Sequence, residues 1–200
     1  MNGCTAVFAV SSSRGQTRGA GTLGRERELN RFFAEVEKRA LRIAEISVRD
    51  RDEALDLVQD AMIRLARRYA NRGTEEWTPL FYRILQNGVR DWHRRQAVRN
   101  RVMVWFGRAG DDDYDPIAQA PDSAGRAPDA ELESHQAMHG LEQALGKLPL
   151  RQKEAFMLRT FEGLDVAETA TAMGCSAGSV KTHYSRAVHS LRETLGEHWQ

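Results

Sequence analysis

A stretch near the end of the chain carries side chains that could read DNA. Between residues 177 and 191, hydrogen-bond donors and one fixed cation recur on one side of a helical pattern, with no carboxylate among them. They are Ser179, Thr182, His183 and Arg186, and Lys181 flanks them. Such a face is what a helix lying in a DNA major groove needs. The alternative is a helical hairpin that merely packs, which the acid-free face and the small Ala170 at the helix crossing disfavour.

The turn chemistry before this face predicts a helix-turn-helix. Asp165 is a good N-cap and Glu168 completes a capping box, so a first helix begins there and runs to about Met173. Gly174 can end that helix in the left-handed conformation, and Ser176 caps the second helix. Helical spacing predicts two buried faces, consisting of Val166, Ala170 and Met173 in the first helix and Val180, Tyr184, Ala187, Val188 and Leu191 in the second.

A second candidate DNA surface is a basic helix in the middle of the chain. Thr78 is predicted to cap it, with Pro79 at its first position, where a missing N–H costs nothing. Its polar side includes Arg83, Asn87, Arg90, Arg94 and Arg95. The preceding loop is expected to expose Trp77, although a partly buried loop anchor is the open alternative. Arginines neutralise phosphates and an aromatic ring receives an unstacked base, so this surface suits single-stranded or melted DNA.

An acidic and amide patch is predicted on the outer side of the helix before that loop. Its members are Asp52, Asp56, Gln59 and Asp60, and Asp50 or Asp52 caps the helix. The inner face is expected to contain Leu55, Val58, Met62, Leu65 and Tyr69, with Ala54 and Ala61 beside it. A charged outer face is usually only solvated, so the residues alone assign this patch no role.

The composition, and the order in which charged residues follow one another along the chain, predict an all-α chain of two small helical domains. The 200 residues suit one or two domains, and the net charge of +1 hides a basic block at 83–108 beside an acidic block at 111–133. Residues 107–130 contain three prolines and read as a flexible acidic linker. The predicted boundaries are a flexible tail at 1–24, a first domain at 25–106, the linker at 107–130 and a second domain at 131–196.

Several function classes are disfavoured by what the sequence contains. Cys4 and Cys175 fit neither a metal site nor a disulfide framework, so a reducing cytoplasm is expected. No apolar run is long enough to span a membrane. No Gly-rich phosphate loop and no nucleophile–base arrangement is evident, and His135 and His139 lack further metal ligands. No catalytic residue, metal or cofactor is therefore predicted.

Three segments, in this order, resemble bacterial sigma factors of the extracytoplasmic-function group of the sigma-70 family. DEALDLVQDAMIRLARR at Asp52–Arg68 is similar to the polymerase-binding helix of sigma region 2. LFYRILQNGVRDWHRR at Leu80–Arg95 is similar to the helix that melts and reads the −10 element. The segment Leu141–Leu195 is similar to sigma region 4. The resemblance spans about Leu29–Leu195.

The resemblance implies a role for each candidate surface. The acidic patch would dock on core RNA polymerase. Asn87 would lie near the flipped −10 base, the loop Arg72–Trp77 would form its pocket, and Arg90, Arg94 and Arg95 would hold phosphates. Five residues would meet the −35 element: Lys181, Thr182, His183, Ser185 and Arg186. An anti-sigma factor would be a further partner, beside polymerase and promoter DNA.

The sequence departs from the family pattern at a few positions. Leu80 stands where many members have Trp, His183 where Arg is common, and Thr169 where an apolar residue is usual. The alternative function is a stand-alone helix-turn-helix regulator of response-regulator type, since such domains also contain VKTH. That alternative needs an N-terminal domain of alternating strands and helices, whereas residues 25–106 read as all helix.

Overall fold

A computed structural model of the chain describes residues 19–105, Met138 and 140–196, and these are helical apart from short turns. The helices are α1 Gly19–Val48, α2 Arg51–Tyr69, α3 Thr74–Trp105, α4 at 140–147, α5 Leu150–Thr160, α6 Val166–Met173 and α7 Ala177–Leu195. The all-α prediction is therefore confirmed for the described residues. Among these helices, none combines the length and the apolar composition that a membrane crossing requires.

The first three helices pack against one another around one apolar core. α1 contributes residues at spacings of three and four, among them Val36, Ala40 and Ile43, all fully buried. α1 ends where Arg49 adopts a left-handed backbone with φ 57°, and Asp50 then caps α2 by accepting hydrogen bonds from two backbone N–H groups. The buried face of α2 is Ala54, Val58, Ala61 and Leu65, while Leu55, Met62 and Tyr69 are half-buried. The predicted inner face is therefore confirmed at Val58 and Leu65, and the two alanines predicted beside it are buried more fully than its three other members.

Two helix starts differ from the sequence prediction. α1 begins at Gly19, six residues before the predicted Arg25, so the last residues of the predicted tail are helical. α3 begins at Thr74 and contains Pro79, although Thr78 and Pro79 predicted a start there. Glu75 and Glu76 in the first turn explain this, because carboxylates stabilise the positive end of the helix dipole. The remaining tail at 1–18 and the predicted linker lie outside the described residues.

The last four helices form a second cluster that contains the helix-turn-helix. Asp165 accepts a hydrogen bond from the Glu168 backbone N–H at 2.8 Å, and the Glu168 carboxylate accepts one from Asp165 N–H at 2.8 Å. Gly174 has φ 64°, and Ser176 Oγ accepts from Ser179 N–H at 3.1 Å. The predicted capping box, left-handed glycine and second cap are all confirmed.

The buried face of α6 agrees with the prediction at Met173 but differs from it at Val166 and Ala170. Thr169, Ala172 and Met173 are buried, whereas Val166 and Ala170 are only half-buried. Thr169 is accommodated because its hydroxyl donates to Asp165 O at 2.6 Å, which satisfies a polar group that burial would otherwise leave unpaired. In α7, Val180, Ala187 and Leu191 are buried, while the half-buried Tyr184 stacks on Phe156 of α5 with ring centroids 6.1 Å apart.

The two clusters pack on each other through α3 against α6 and α1 against α5. Arg39 of α1 pairs with Glu162 at 3.2 Å, and Arg42 pairs with Glu142 of α4. Lys153 of α5 is buried and places Nζ 3.5 Å from Ile46 O and from Gly146 O. Cations of one cluster thus meet carboxylates or helix ends of the other.

Candidate nucleic-acid interface

The outer face of α7 presents most of the predicted DNA contacts to solvent. Four of the residues expected at the −35 element are exposed, namely Lys181, Thr182, Ser185 and Arg186. Ser179 is half-buried, and its hydroxyl lies 2.9 Å from the hydroxyl of Ser176, the cap of this helix. Two cations and several hydroxyls on one exposed helix face match what phosphate contacts and base-edge contacts require.

His183 differs from its neighbours because it is half-buried. Its pKa is lowered by burial and by the positive charges of Arg151 and Arg186. The ring is consequently neutral near pH 7, where it presents one donor and one acceptor rather than a cation. At this position the chain therefore offers DNA a neutral donor and acceptor instead of the positive charge that an arginine would supply.

The acidic and amide patch of α2 is exposed on the opposite cluster. Asp52, Asp56 and Gln59 are exposed, and Asp60 is half-buried in an ion pair with Arg64 at 2.7 Å. Nothing among the described residues covers this patch, so it is open to a macromolecular partner.

A small basic groove lies between the end of α2 and the middle of α3. It encloses about 130 Å³. Its lining residues are Arg64, Arg68, Tyr69, Leu80, Arg83, Ile84 and Asn87. Three guanidinium groups around an amide and apolar side chains can hold a base and its phosphate together. Asn87 and Arg83 were predicted here, but Arg64, Arg68 and Tyr69 were not; their spacing at the end of α2, just before the loop, is the signal that could have identified them.

Trp77 is not the exposed loop residue that the sequence predicted. It lies in the first turns of α3 and is 1% exposed. Its indole Nε1 donates to Tyr69 O at 3.1 Å, and its ring packs against Phe32 of α1 with centroids 5.7 Å apart. The expectation of an exposed ring was wrong because Phe32 supplies an apolar surface that the local sequence does not reveal. Trp77 is instead a buried anchor, which was the alternative that the sequence left open.

The remaining predicted −10 residues fall into two groups. Arg72, Arg94 and Arg95 are exposed, with Arg72 near Glu76 at 3.6 Å and Arg94 near Asp91 at 3.5 Å. Arg90, by contrast, reaches into the contact with the second cluster. Its guanidinium lies 3.1 Å from Glu154 Oε1 and 3.5 Å from Met173 O.

Glu154 is the centre of this contact. Its side chain is 1% exposed and pairs with both Arg90 and Arg151, while Arg151 also donates to Met173 O at 3.0 Å. Burial raises the pKa of Glu154 above its ordinary value, although the two guanidinium groups lower it. Burial thus outweighs the attraction of two cations, which means that the pair contributes little net stability and mainly fixes how the clusters dock.

Gln86 lies between Arg83 and Arg90 on the same side of α3 and is 1% exposed. Neither its amide nitrogen nor its oxygen has a hydrogen-bond partner in the part of the chain that the structure describes. A buried unpaired amide is costly. The burial of Gln86 therefore costs free energy in this arrangement.

Metal binding has no support in the described ranges. Within residues 19–105 and 140–196, no group of three or more His, Cys, Asp or Glu side chains could hold an ion.

Comparison with known proteins places these features in a family. The family model described as "Sigma-70, region 4" matches residues 139–191. The chain is 32% identical over 160 residues to the RNA polymerase sigma-E factor of Streptomyces avermitilis, which covers 78% of each chain. It is 27% identical over 150 residues to the ECF RNA polymerase sigma factor SigX of Bacillus subtilis, covering 74% of this chain and 73% of SigX.

The fold is also similar to a solved structure, the sigma factor RpoE of Bartonella quintana in complex with the anti-sigma factor NepR. The TM-score is 0.59 at 22% identity, covering 86% of this chain and 98% of that one. Fold and site together define a class of protein. It is an all-α protein that has a helix-turn-helix in its C-terminal half and an exposed acidic patch on a helix of its N-terminal half. The chain belongs to the sigma-70 family of RNA polymerase sigma factors, in the extracytoplasmic-function group.

Proposed function

We propose that this chain is an alternative sigma factor, a non-catalytic subunit that binds core RNA polymerase and directs transcription from promoters with particular −10 and −35 elements. The observation that carries the proposal is the pair of exposed, chemically distinct surfaces on the two clusters. The patch of Asp52, Asp56 and Gln59 offers carboxylates on one cluster, and α7 offers an acid-free donor face on the other.

Each DNA surface has its own task. The face of α7 reads duplex −35 DNA, because a helix of donors and cations fits the major groove. The basic groove at Asn87 and Arg83 receives a base of the melted −10 strand, and the exposed Arg94 and Arg95 hold its phosphates. Arg90 joins them only when α6 leaves α3, since its guanidinium is engaged by Glu154 in this arrangement.

The stand-alone regulator is not supported. It requires an N-terminal domain of alternating strands and helices, whereas residues 19–105 are helices and short turns.

Further partners and the place of action follow from the family. The solved relatives include sigma factors in complex with anti-sigma factors, namely RpoE with NepR and CnrH with the cytosolic domain of CnrY. We propose a protein inhibitor of this kind for the present chain and action in the cytoplasm, where polymerase and promoters are found.

The test is a reconstitution of the full chain with bacterial core RNA polymerase. Gel filtration measures complex formation, and sequencing of the transcripts made from genomic DNA locates the start sites. We expect co-elution and a small set of starts that share −35 and −10 elements. Specific duplex binding by the free chain without any association with polymerase would contradict the proposal.

Two variants, each with a matched control, test which surface binds polymerase and which surface binds DNA. Asp56→Arg should weaken polymerase binding, whereas Glu37→Arg, an equal charge change on the exposed side of α1, should not. Arg186→Ala should lower −35-dependent promoter binding several-fold, since a lost bidentate base contact costs about 1–3 kcal/mol. Arg192→Ala, also exposed on α7, should leave that binding unchanged.

A further inference from the structure

The end of α2 and the turn that follows it are held by one arginine from α1. The last carbonyls of a helix lack partners within the helix and carry partial negative charge. Arg25 Nε donates to Ala70 O at 2.7 Å, and Arg25 Nη2 donates to Arg72 O at 2.6 Å. A single guanidinium therefore spans the turn between α2 and α3 and satisfies carbonyls on both sides of Asn71.

The same guanidinium is fixed by further contacts. It lies over the Trp77 ring, 5.2 Å from the centroid, and its Nη1 pairs with Glu28 at 3.1 Å. The Trp77 indole in turn donates to Tyr69 O. Arg25 and Trp77 thus form one clamp on three carbonyls at the end of α2 and in the turn, those of Tyr69, Ala70 and Arg72. A lysine could supply the charge but not the planar fork that makes these contacts together.

The clamp sits directly beside the basic groove. Tyr69 is both a lining residue of the groove and the residue whose carbonyl Trp77 holds. Arg64 and Arg68 line the groove from α2, and Leu80 and Asn87 line it from α3. Residues 70–73 are the only covalent link between these two walls, so the position of the turn sets their separation.

We propose that Arg25 is a positioning residue for −10 recognition: it touches no DNA, but it fixes the α2–α3 turn and thereby the width of the groove that takes the unstacked base. This inference rests on the proposed function. A groove of fixed width discriminates between bases, whereas a loosened groove accepts several, so Arg25 acts on selectivity more than on overall binding.

The experiment uses the full chain bound to core polymerase and two single-stranded −10 oligonucleotides, one matching the promoter found by reconstitution and one with the flipped base replaced. The quantity measured is the ratio of the two affinities. A partly misfolded preparation lowers both affinities equally and cancels in this ratio. One base is ordinarily worth roughly 5- to 150-fold in such a ratio.

We expect Arg25→Met to bring the ratio of the two affinities close to one, while polymerase binding through α2 and duplex −35 binding stay unchanged. Arg25→Lys should fail to restore it, and Trp77→Phe, which keeps a ring but removes the indole donor, should lower it through the other half of the clamp. Arg27→Met, on an exposed position of the same helix, is the control and should behave as wild type.

The outcomes separate the two proposals. A wild-type complex without base discrimination, or a chain that does not bind polymerase, would overturn the proposed function and this inference with it. A discriminating wild-type complex whose ratio is unchanged in Arg25→Met and in Trp77→Phe would overturn the inference alone and leave the function standing.

Discussion

Lys153 shows how a single residue can make the stability of this fold depend on pH. Its ammonium group is buried between the ends of α1 and α4, and burial, together with the charge of Arg49, lowers its pKa from 10.5 to about 8. The carbonyls of Ile46 and Gly146, at 3.5 Å, only partly replace the lost water. Lys153 therefore destabilises the folded chain in its charged form.

The sign of the pH dependence follows directly. Between pH 8 and 10.5 the unfolded chain still binds a proton that the folded chain has released, so the free energy of unfolding rises with pH in that window. The rise amounts to at most about 3 kcal/mol. We expect Lys153→Met to remove it and the exposed Lys147→Met to retain it, as measured by denaturant unfolding at several pH values. Parallel curves for wild type and Lys153→Met would contradict this account.

At the scale of the elements, the helix-turn-helix depends on the backbone of Gly174. Its φ of 64° lies in the left-handed region, and a Cβ added there would meet nothing within 4 Å. A side chain at this position therefore costs backbone strain alone, and we expect Gly174→Ala to destabilise the fold by about 1–2 kcal/mol. Thermal unfolding measures the effect.

Gly178, four residues further along the chain, provides the matched control. It lies in the first turn of α7, where its Cβ would meet only Ser176 Oγ at 3.8 Å, an ordinary contact. Alanine there should be neutral or stabilising by about 0.5 kcal/mol. Equal effects of both substitutions would show that the left-handed conformation is not what requires glycine at 174.

The elements that the sequence predicted well are those whose signals are local. The capping box of Asp165 and Glu168, the left-handed Gly174 and the cap at Ser176 all act within four residues, so the turn could be read without knowing the rest of the fold. The start of α3 was missed because two start signals compete within a few residues, and Thr78–Pro79 looked the stronger.

The features of the site that were missed depend on distant residues. Trp77 is buried by Phe32, and Arg90 is engaged by Glu154, and neither partner is near in the chain. The sequence shows that Arg90 is positively charged, but it does not show that Glu154 lies beside it in the fold. The exposed contacts of α7 and the patch of α2 were predicted more fully, because periodicity alone decides which side of a helix faces the solvent.

At the scale of the whole molecule, the contact between the two clusters determines whether Arg90 of α3 is available to a partner. Glu154→Lys places a third cation beside Arg90 and Arg151 at a position whose side chain is 1% exposed, which is strongly unfavourable. We expect the free chain to open, with a larger radius of gyration in small-angle X-ray scattering and about tenfold tighter binding of a −10 strand, because apparent affinity scales with the open fraction.

Glu193→Lys, an equal charge change, is the control for that substitution. Glu193 lies exposed on α7 and pairs only loosely, at 3.3 Å, with His189. The control should change neither the scattering nor the affinity. A Glu154→Lys chain as compact as wild type, with the same affinity for the −10 strand, would contradict the view that this contact holds the clusters together.

Under the proposed function, the contact at α3 and the open face of α7 favour an order of events at a promoter. While the clusters are packed, Arg90 is engaged by Glu154, yet Lys181, Thr182 and Arg186 remain free to touch duplex DNA. The packed chain then meets a −35 sequence with its full set of exposed α7 contacts but holds a melted strand without Arg90. The hold on the strand becomes complete only after the second cluster has released α3.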